Sequence, residues 1–241
     1  MKKYGLIGKS LSHSFSRQYF TEKFKKEKIV AVYENIELDC ISPSFKQTIS
    51  AFEGVNVTIP YKEGVIKELD EIIGVASEIG AVNTIKIKND KLIGYNTDVF
   101  GFQQMIKPFF KSNHERAIIL GTGGASKAVA YSLMSLGCEP IFISRSPERE
   151  NEFSYDDINE QMLKSCHIVV NSTPVGTAPN IEDCPAIPYQ HFTEKHLVID
   201  LIYNPAETTF LRLAKEGGAV TLNGKTMLEQ QAEEAWRIWN E

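Results

Sequence analysis

The chain has 241 residues, 42% apolar and 24% charged, a composition that excludes a disordered tail or a collagen-like fibre and leaves room for one large domain or two small ones. Lys and Arg number 26 against 31 Asp and Glu, for a net charge of -5. No dense basic stripe is present to neutralise a row of phosphates, so nucleic acid is not an expected partner. Apolar runs fall far short of the roughly 20 residues that cross a bilayer, and the opening MKKYGLIG lacks the apolar core and cleavage site of a signal peptide. No membrane partner and a soluble cytoplasmic location are expected.

KYGLIG reads as a short strand, and Phe15, Tyr19, Phe20 and Phe24 then recur at helical spacing, with Ser12, Ser14 or Ser16 placed to cap the helix. IVAVYENIE alternates as a strand, PSFKQTISAF reads as a helix with Pro43 near its first turn, and GVNVTIP is another short strand. A helix is expected over Lys62 to Ile79. TIKIKNDKLIGY reads as a hairpin turning at Asn89-Asp90 and closes a first α/β domain near residue 98. VFGFQQMIKPFF is helical up to Pro108, after which AIILGTGGASKAVAYSLMSLGC gives strand, glycine turn and helix. PIFISRS, HIVVNSTP and HLVIDLIY are apolar runs of strand length, as parallel strands covered on both faces should be. The expected architecture is α/β, with an N-terminal substrate domain (1–98), a doubly wound Rossmann-like nucleotide domain (99–222) and a cleft between them. A closing helix within 223–241, apolar along Leu228, Ala232, Ala235, Trp236 and Trp239, would pack back on the first domain.

Cys40, Cys138, Cys166 and Cys184 form no C-x-x-C pair and read as buried or half-buried free thiols. His13, His114, His167, His191 and His196 include no H-E-x-x-H, so no metal is expected. GTGGAS at 121–126, between a strand and a helix, lets the backbone approach a pyrophosphate at a helix N-terminus, with Ser126 in the third glycine place; an ordinary tight turn is the plain alternative. About 20 residues on, where NAD binding asks for an acidic residue, stand Ser144, Arg145 and Ser146, with Arg149 beyond. Guanidinium groups there suit a 2'-phosphate and favour NADP, unless both arginines are simply solvated surface residues. In GVNVTIPYK, Asn56 and Thr58 share one strand face and Lys62 follows; that face would hold a polyhydroxylated small molecule or be solvated.

Taken in order, GKSLSHSFS, NVTIPYK, GAVNT, YNTD, GTGGA, SRSPER, NSTPVG, DLIYNPAETTFL and GKTMLEQQA resemble the motifs of the shikimate dehydrogenase family along the whole chain. The resemblance implies reversible NADP-dependent oxidation of shikimate to 3-dehydroshikimate, a step toward chorismate and the aromatic amino acids. It implies a catalytic pair, Lys62 and Asp98. It assigns the substrate carboxylate to Ser14, Ser16 and Tyr203, and its hydroxyls to Thr58, Asn83, Asp98 and Gln231. Gly121, Gly123, Gly124 and Ala125 would cradle the pyrophosphate, Arg145 and Arg149 the 2'-phosphate, and Thr173, Gly224 and Met227 would line the nicotinamide side.

A lysine at its ordinary pKa of about 10.4 is protonated at neutral pH, so Lys62 either loses its proton through desolvation or acts as an electrostatic anchor, and both readings stay open. The chain departs from the family pattern at Arg17, Ser144 and Lys225. Three other readings stand beside the first: a quinate-oxidising paralogue using NAD, a non-catalytic nucleotide sensor on the same fold, and a folate dehydrogenase with a similar two-domain plan. A monomer or weak homodimer is expected.

Overall fold

The computed structural model describes residues 1–11 and 14–241; Ser12, as a candidate cap, and His13 lie outside the described residues. The chain forms two compact units, Met1–Gly101 with Leu228–Glu241, and Phe102–Met227.

The first unit contains β1 (Lys2–Gly8), α1 (Phe15–Glu27), β2 (Ala31–Glu37), α2 (Phe45–Ile49), β3 (Gly54–Val57), β4 (Glu71–Ile72), α3 (Val75–Ile79), β5 (Thr84–Lys88), β6 (Lys91–Tyr95) and the start of α4 (Asp98–Ile106). Its sheet has the order β2-β1-β3-β5-β6-β4. β1 runs parallel to β2 and β3, while β3-β5 and β5-β6 are antiparallel. The hairpin turns through Asn89 and Asp90 at φ 52° and 64°, the left-handed pair that matches strand twist in a two-residue loop. α1 is capped by Ser14, whose side chain accepts from the Arg17 amide, and its last turn carries Lys25 and Lys26, which complement the helix dipole.

The helix expected over Lys62 to Ile79 is not continuous. A 3-10 turn (Gly64–Glu68), β4 and α3 replace it. Leu69 turns extended, the Asp70 carboxylate accepts the Leu92 amide at 2.8 Å, and Gly74 adopts φ +62°. Pairing with β6 and a left-handed glycine thus overrule the local helical spacing.

The second unit holds β7 (Arg116–Leu120), α5 (Gly124–Ser135), β8 (Glu139–Ile143), β9 (Glu152–Phe153), α6 (Glu160–Ser165), β10 (Ile168–Asn171), β11 (Leu197–Asp200), α7 (Thr209–Glu216) and β12 (Val220–Asn223); α8 (Lys225–Asn240) follows. All pairings are parallel, in the order β12-β11-β10-β7-β8-β9, the doubly wound dinucleotide-binding order with its reversal between β7 and β10. β10 and β11 are buried throughout. The edge strands β9 and β12 escape sequence reading, since neither has the length or the apolar run that identifies a buried strand.

Leu228–Glu241 of α8 belongs to the first unit. Trp239 lies against the backbone of β3, where a Cβ on Gly54 would fall 2.2 Å from the ring. Its Nε1 donates to the Ile85 carbonyl at 3.0 Å, and the buried Lys86 ammonium donates to the Ile238 carbonyl at 2.8 Å, a cation at a helix C-terminus. Tyr4, Phe20, Phe24, Tyr33, Trp236 and Trp239 form one aromatic cluster around this helix. Cys138 and Cys166 are buried and Cys184 is half-buried, as expected, whereas Cys40 is exposed. Cys40 sits just past the end of β2, where no element covers it.

Candidate active site

The site in the first unit starts where β3 ends. Past a turn closed by the Tyr61 amide on the Thr58 carbonyl, the Lys62 carbonyl accepts the Val82 amide at 2.8 Å and fixes the lysine backbone against the segment entering β5. Asp98 opens α4. The Asn96 side-chain oxygen accepts the Asp98 and Val99 amides at 3.0 and 3.3 Å, while its amide donates to the Ala81 carbonyl, so Asn96 caps the helix and ties its start to GAVNT. Lys62 Nζ donates to Asp98 Oδ2 at 2.7 Å, with side chains only 15% and 9% exposed. A charge-assisted bond this short and this desolvated holds one geometry far better than a surface pair.

The Asn-Thr repeats in GAVNT and YNTD interlock. Asn83 Oδ1 accepts the Thr97 amide at 2.7 Å and the Thr84 hydroxyl at 3.1 Å, its amide donates to the Thr97 hydroxyl, and Thr97 reaches the Gln231 side-chain oxygen at 3.4 Å. From Thr84 the chain of bonds runs on to Asn56 Nδ2 (3.0 Å), and from Asn56 Oδ1 to the Tyr33 hydroxyl (2.8 Å). The buried Ser16 lies beside Tyr33 in turn. Asn56 therefore faces neither solvent nor an open site, contrary to both readings of its strand face; it is a fully engaged core amide. Thr58 is half-buried beside Gly8, where an added Cβ would meet its methyl at 2.8 Å. Ser14 is committed as the α1 cap. Tyr33, Thr84, Asn96 and Thr97 are the residues that sequence reasoning left out of the site; the two Asn-Thr pairs were the signal for Thr84, Asn96 and Thr97, and Tyr33 had none.

In the second unit the glycine turn leaves β7 at the reversal of strand order. Gly121 has φ +100°, and a Cβ there would meet Thr173 Cγ2 at 2.9 Å and Ser172 Oγ at 3.0 Å; only glycine fits both demands. Gly123 has open space around its missing Cβ. The twelve-residue α5 begins at Gly124 and Ala125 with no side chain capping its amides. Uncapped amides under an open backbone fit a pyrophosphate. Ser126 is buried and its hydroxyl donates to the Gly123 carbonyl, which explains serine in the third glycine place. Thr173 is held by Asn171, whose side-chain oxygen accepts its amide and hydroxyl at 3.0 and 2.6 Å.

Arg145 and Arg149 are exposed on the loop after β8, with Arg149 Nε 3.6 Å from the Glu152 carboxylate. Ser144 caps the turn by accepting the Ser146 amide. Gly224 has no room for a side chain, since a Cβ would lie 2.0 Å from the Leu201 carbonyl oxygen; Met227 is buried in the core, and Lys225 is exposed at the start of α8. Tyr203, half-buried past the end of β11, has its phenol pushed above the usual range by burial.

A family model described as the shikimate dehydrogenase substrate binding domain matches residues 6–85. A shikimate dehydrogenase (NADP(+)) of Halothermothrix orenii is 40% identical over 98% of this chain and 89% of its own length. The crystal structure of shikimate dehydrogenase 1 from Peptoclostridium difficile is 39% identical, with a TM-score of 0.85 over 100% of this chain and 92% of that one. A quinate dehydrogenase from Corynebacterium glutamicum, solved in complex with NAD, is 29% identical with a TM-score of 0.87 over 99% of this chain and 93% of that one. Identity at this level along nearly the whole length places the chain in the shikimate dehydrogenase family.

Proposed function

We propose that this protein catalyses the reversible NADP-dependent oxidation of shikimate to 3-dehydroshikimate, with Lys62 and Asp98 as its catalytic pair. The observation that carries the assignment of the pair is the 2.7 Å bond between two side chains that are nearly withdrawn from solvent. Oxidising a secondary alcohol removes a hydride from carbon and a proton from oxygen, leaving a carbonyl; NADP when bound accepts the hydride. In oxidation the neutral Lys62 amine takes the oxygen proton as the carbonyl forms and becomes the ammonium, which returns that proton in reduction. Asp98, fixed by Asn96 at the N-terminus of α4, aims the ammonium and accepts a hydrogen bond from a second ring hydroxyl. Asn83 and Gln231, joined through Thr97, complete the hydroxyl-binding set with Thr58, and Ser14, Ser16 and Tyr203 take the carboxylate.

The amides of Gly124 and Ala125 hold the pyrophosphate. Arg145 and Arg149 select the 2'-phosphate, and Thr173, Gly224 and Met227 shape the nicotinamide side. The likeness to a quinate dehydrogenase solved with NAD supports quinate and NAD as the second reading. Family membership sets the folate reading aside.

The deciding assay follows absorbance of the reduced nicotinamide with each pairing of shikimate or quinate with NADP or NAD. Turnover fastest by at least tenfold with shikimate and NADP is expected. Turnover only with quinate, or only with NAD, would move the protein to the second reading.

A further inference from the structure

Asp200, at the carboxyl end of β11, is completely buried. No cation pairs with it among the described residues. Its charge is met instead by three neutral donors: Oδ1 accepts Asn171 Nδ2 at 3.1 Å and the Ile202 amide at 3.0 Å, and Oδ2 accepts the Thr208 hydroxyl at 2.6 Å. A buried carboxylate without a counter-ion is costly, and neutral cores are built without one. Each donor leads somewhere specific. Asn171 uses its other atom to hold Thr173 through both amide and hydroxyl, and its amide also donates to the Val175 carbonyl at 3.3 Å. Ile202 immediately precedes Tyr203, and Thr208 closes that loop as the cap of α7, accepting the Leu211 amide.

We propose that Asp200 is a positioning residue whose ionised carboxylate sets, together, the loop that carries Thr173 and the loop that carries Tyr203. The argument for two loops of catalytic consequence rests on the functional reading above; the coupling of the loops to one carboxylate rests on the hydrogen bonds alone. The ionised form accepts all three bonds at once. A proton on Oδ2 reverses the Thr208 bond, so that Asp200 donates to the Thr208 oxygen, and a proton on Oδ1 takes a lone pair that Asn171 or Ile202 uses.

Burial, opposed by the bonds from Thr208, Ile202 and Asn171, raises the Asp200 carboxyl to about 6, so the switch falls in an accessible pH range. The titratable group that faces it is the Tyr189 phenol, on the 3-10 turn Tyr189–His191, itself pushed up by burial and hence neutral there. β10 and α7 present Asn171 and Thr208, and its register partner on β12 is Asn223, none of which ionises.

The test follows backbone amides of the free protein by NMR from pH 4.5 to 8, beside kcat/KM for shikimate and NADP over the same range. The Thr173, Ile202 and Tyr203 amides should shift together with one midpoint, and kcat/KM should fall on the acid side with that midpoint. Asp200→Asn should abolish both the common titration and the acid limb. Thr208→Val removes a bond that favours the charged form and should move the midpoint up by at least half a pH unit, with Thr208→Ser restoring it. Because Thr208→Val keeps the carboxylate, it gives the answer even if Asp200→Asn does not fold. Amides that ignore pH, or an acid limb unmoved in both variants, would overturn the positioning role. Wild-type protein that shows the amide titration but no turnover with any substrate pair would instead overturn the functional reading and leave the coupling standing.

Discussion

The two sheets treat polar side chains in opposite ways. In the first unit, Asn56, Thr84 and Lys86 are buried within strands β3 and β5, and the site is continuous with the interior through Ser16, Tyr33, Asn56, Thr84, Asn83 and Thr97. In the second, the interiors of β7, β10 and β11 are apolar, and the buried polar residues of these strands, Asn171 and Asp200, stand at their carboxyl ends. A mixed sheet can devote part of one face to a hydrogen-bonded network, whereas a parallel sheet covered on both faces confines its chemistry to the loops that leave it. Substitutions in the first unit should therefore cost stability and activity together, and those around the glycine turn should separate the two.

The largest effect is expected at the catalytic pair. Lys62→Ala should lower kcat by about 10²–10⁴-fold, the usual range for a positioned acid-base group, while KM for shikimate changes only a few-fold. A loss confined to KM would mean that Lys62 merely binds. Next comes the polar interior: Asn56→Ala takes away the acceptor of the Tyr33 hydroxyl and one donor to Thr84, which keeps its bond to Asn83. At about 1–3 kcal/mol for a buried group left unsatisfied, the urea-unfolding free energy should fall by about 1–3 kcal/mol. Stability within 0.5 kcal/mol of wild type, on the order of a neutral surface change, would place Asn56 outside the core network.

The glycine turn offers the contrasting pair. Gly121→Ala meets both φ +100° and Thr173 Cγ2 at 2.9 Å and should destabilise by about 1–3 kcal/mol. Gly123→Ala, in open space at φ -78°, should leave the melting temperature unchanged yet raise KM for NADP, because the new methyl occupies the room left for the pyrophosphate. Equal effects of the two on stability would erase the distinction between turn geometry and ligand access.

The smallest effect is in pH dependence, and two groups of the second unit oppose each other. Burial holds His114 and His196 below the usual imidazole range, so the unfolded chain takes up protons first and stability falls as pH drops below about 6.5. The Asp200 carboxyl, raised to about 6, works the other way: the native state holds its proton more tightly than the unfolded chain, so stability rises as pH falls through 6 toward 4. Wild-type protein should therefore show a shallow profile between pH 5 and 7. Asp200→Asn should expose the histidine slope, with the urea midpoint falling steadily from pH 7 to 5. A flat profile in the variant would remove the histidines from the account.

The second unit was the more legible half. AIIL, HIVV and HLVID are apolar runs of the length of buried strands, and the glycine turn between the first of them and a helix marks the reversal of strand order. Its edge strands β9 and β12 carried no comparable pattern, because an edge strand is defined by its neighbour. In the first unit, helical spacing from Lys62 to Ile79 misled, since β4 forms by pairing with β6 across about twenty residues of chain.

What the sequence determined by itself is local or ordered along the chain. The Asn89-Asp90 turn, a serine cap at the start of α1 and the succession of motifs that points to the family all depend on neighbours or on spacing. Tertiary structure alone decided that Asn56 is a core amide, that Lys86 fastens the end of α8, and that Asp200 ties two loops together. Each of these follows from the partner a buried polar group must find, and chain folding, not sequence proximity, supplies that partner.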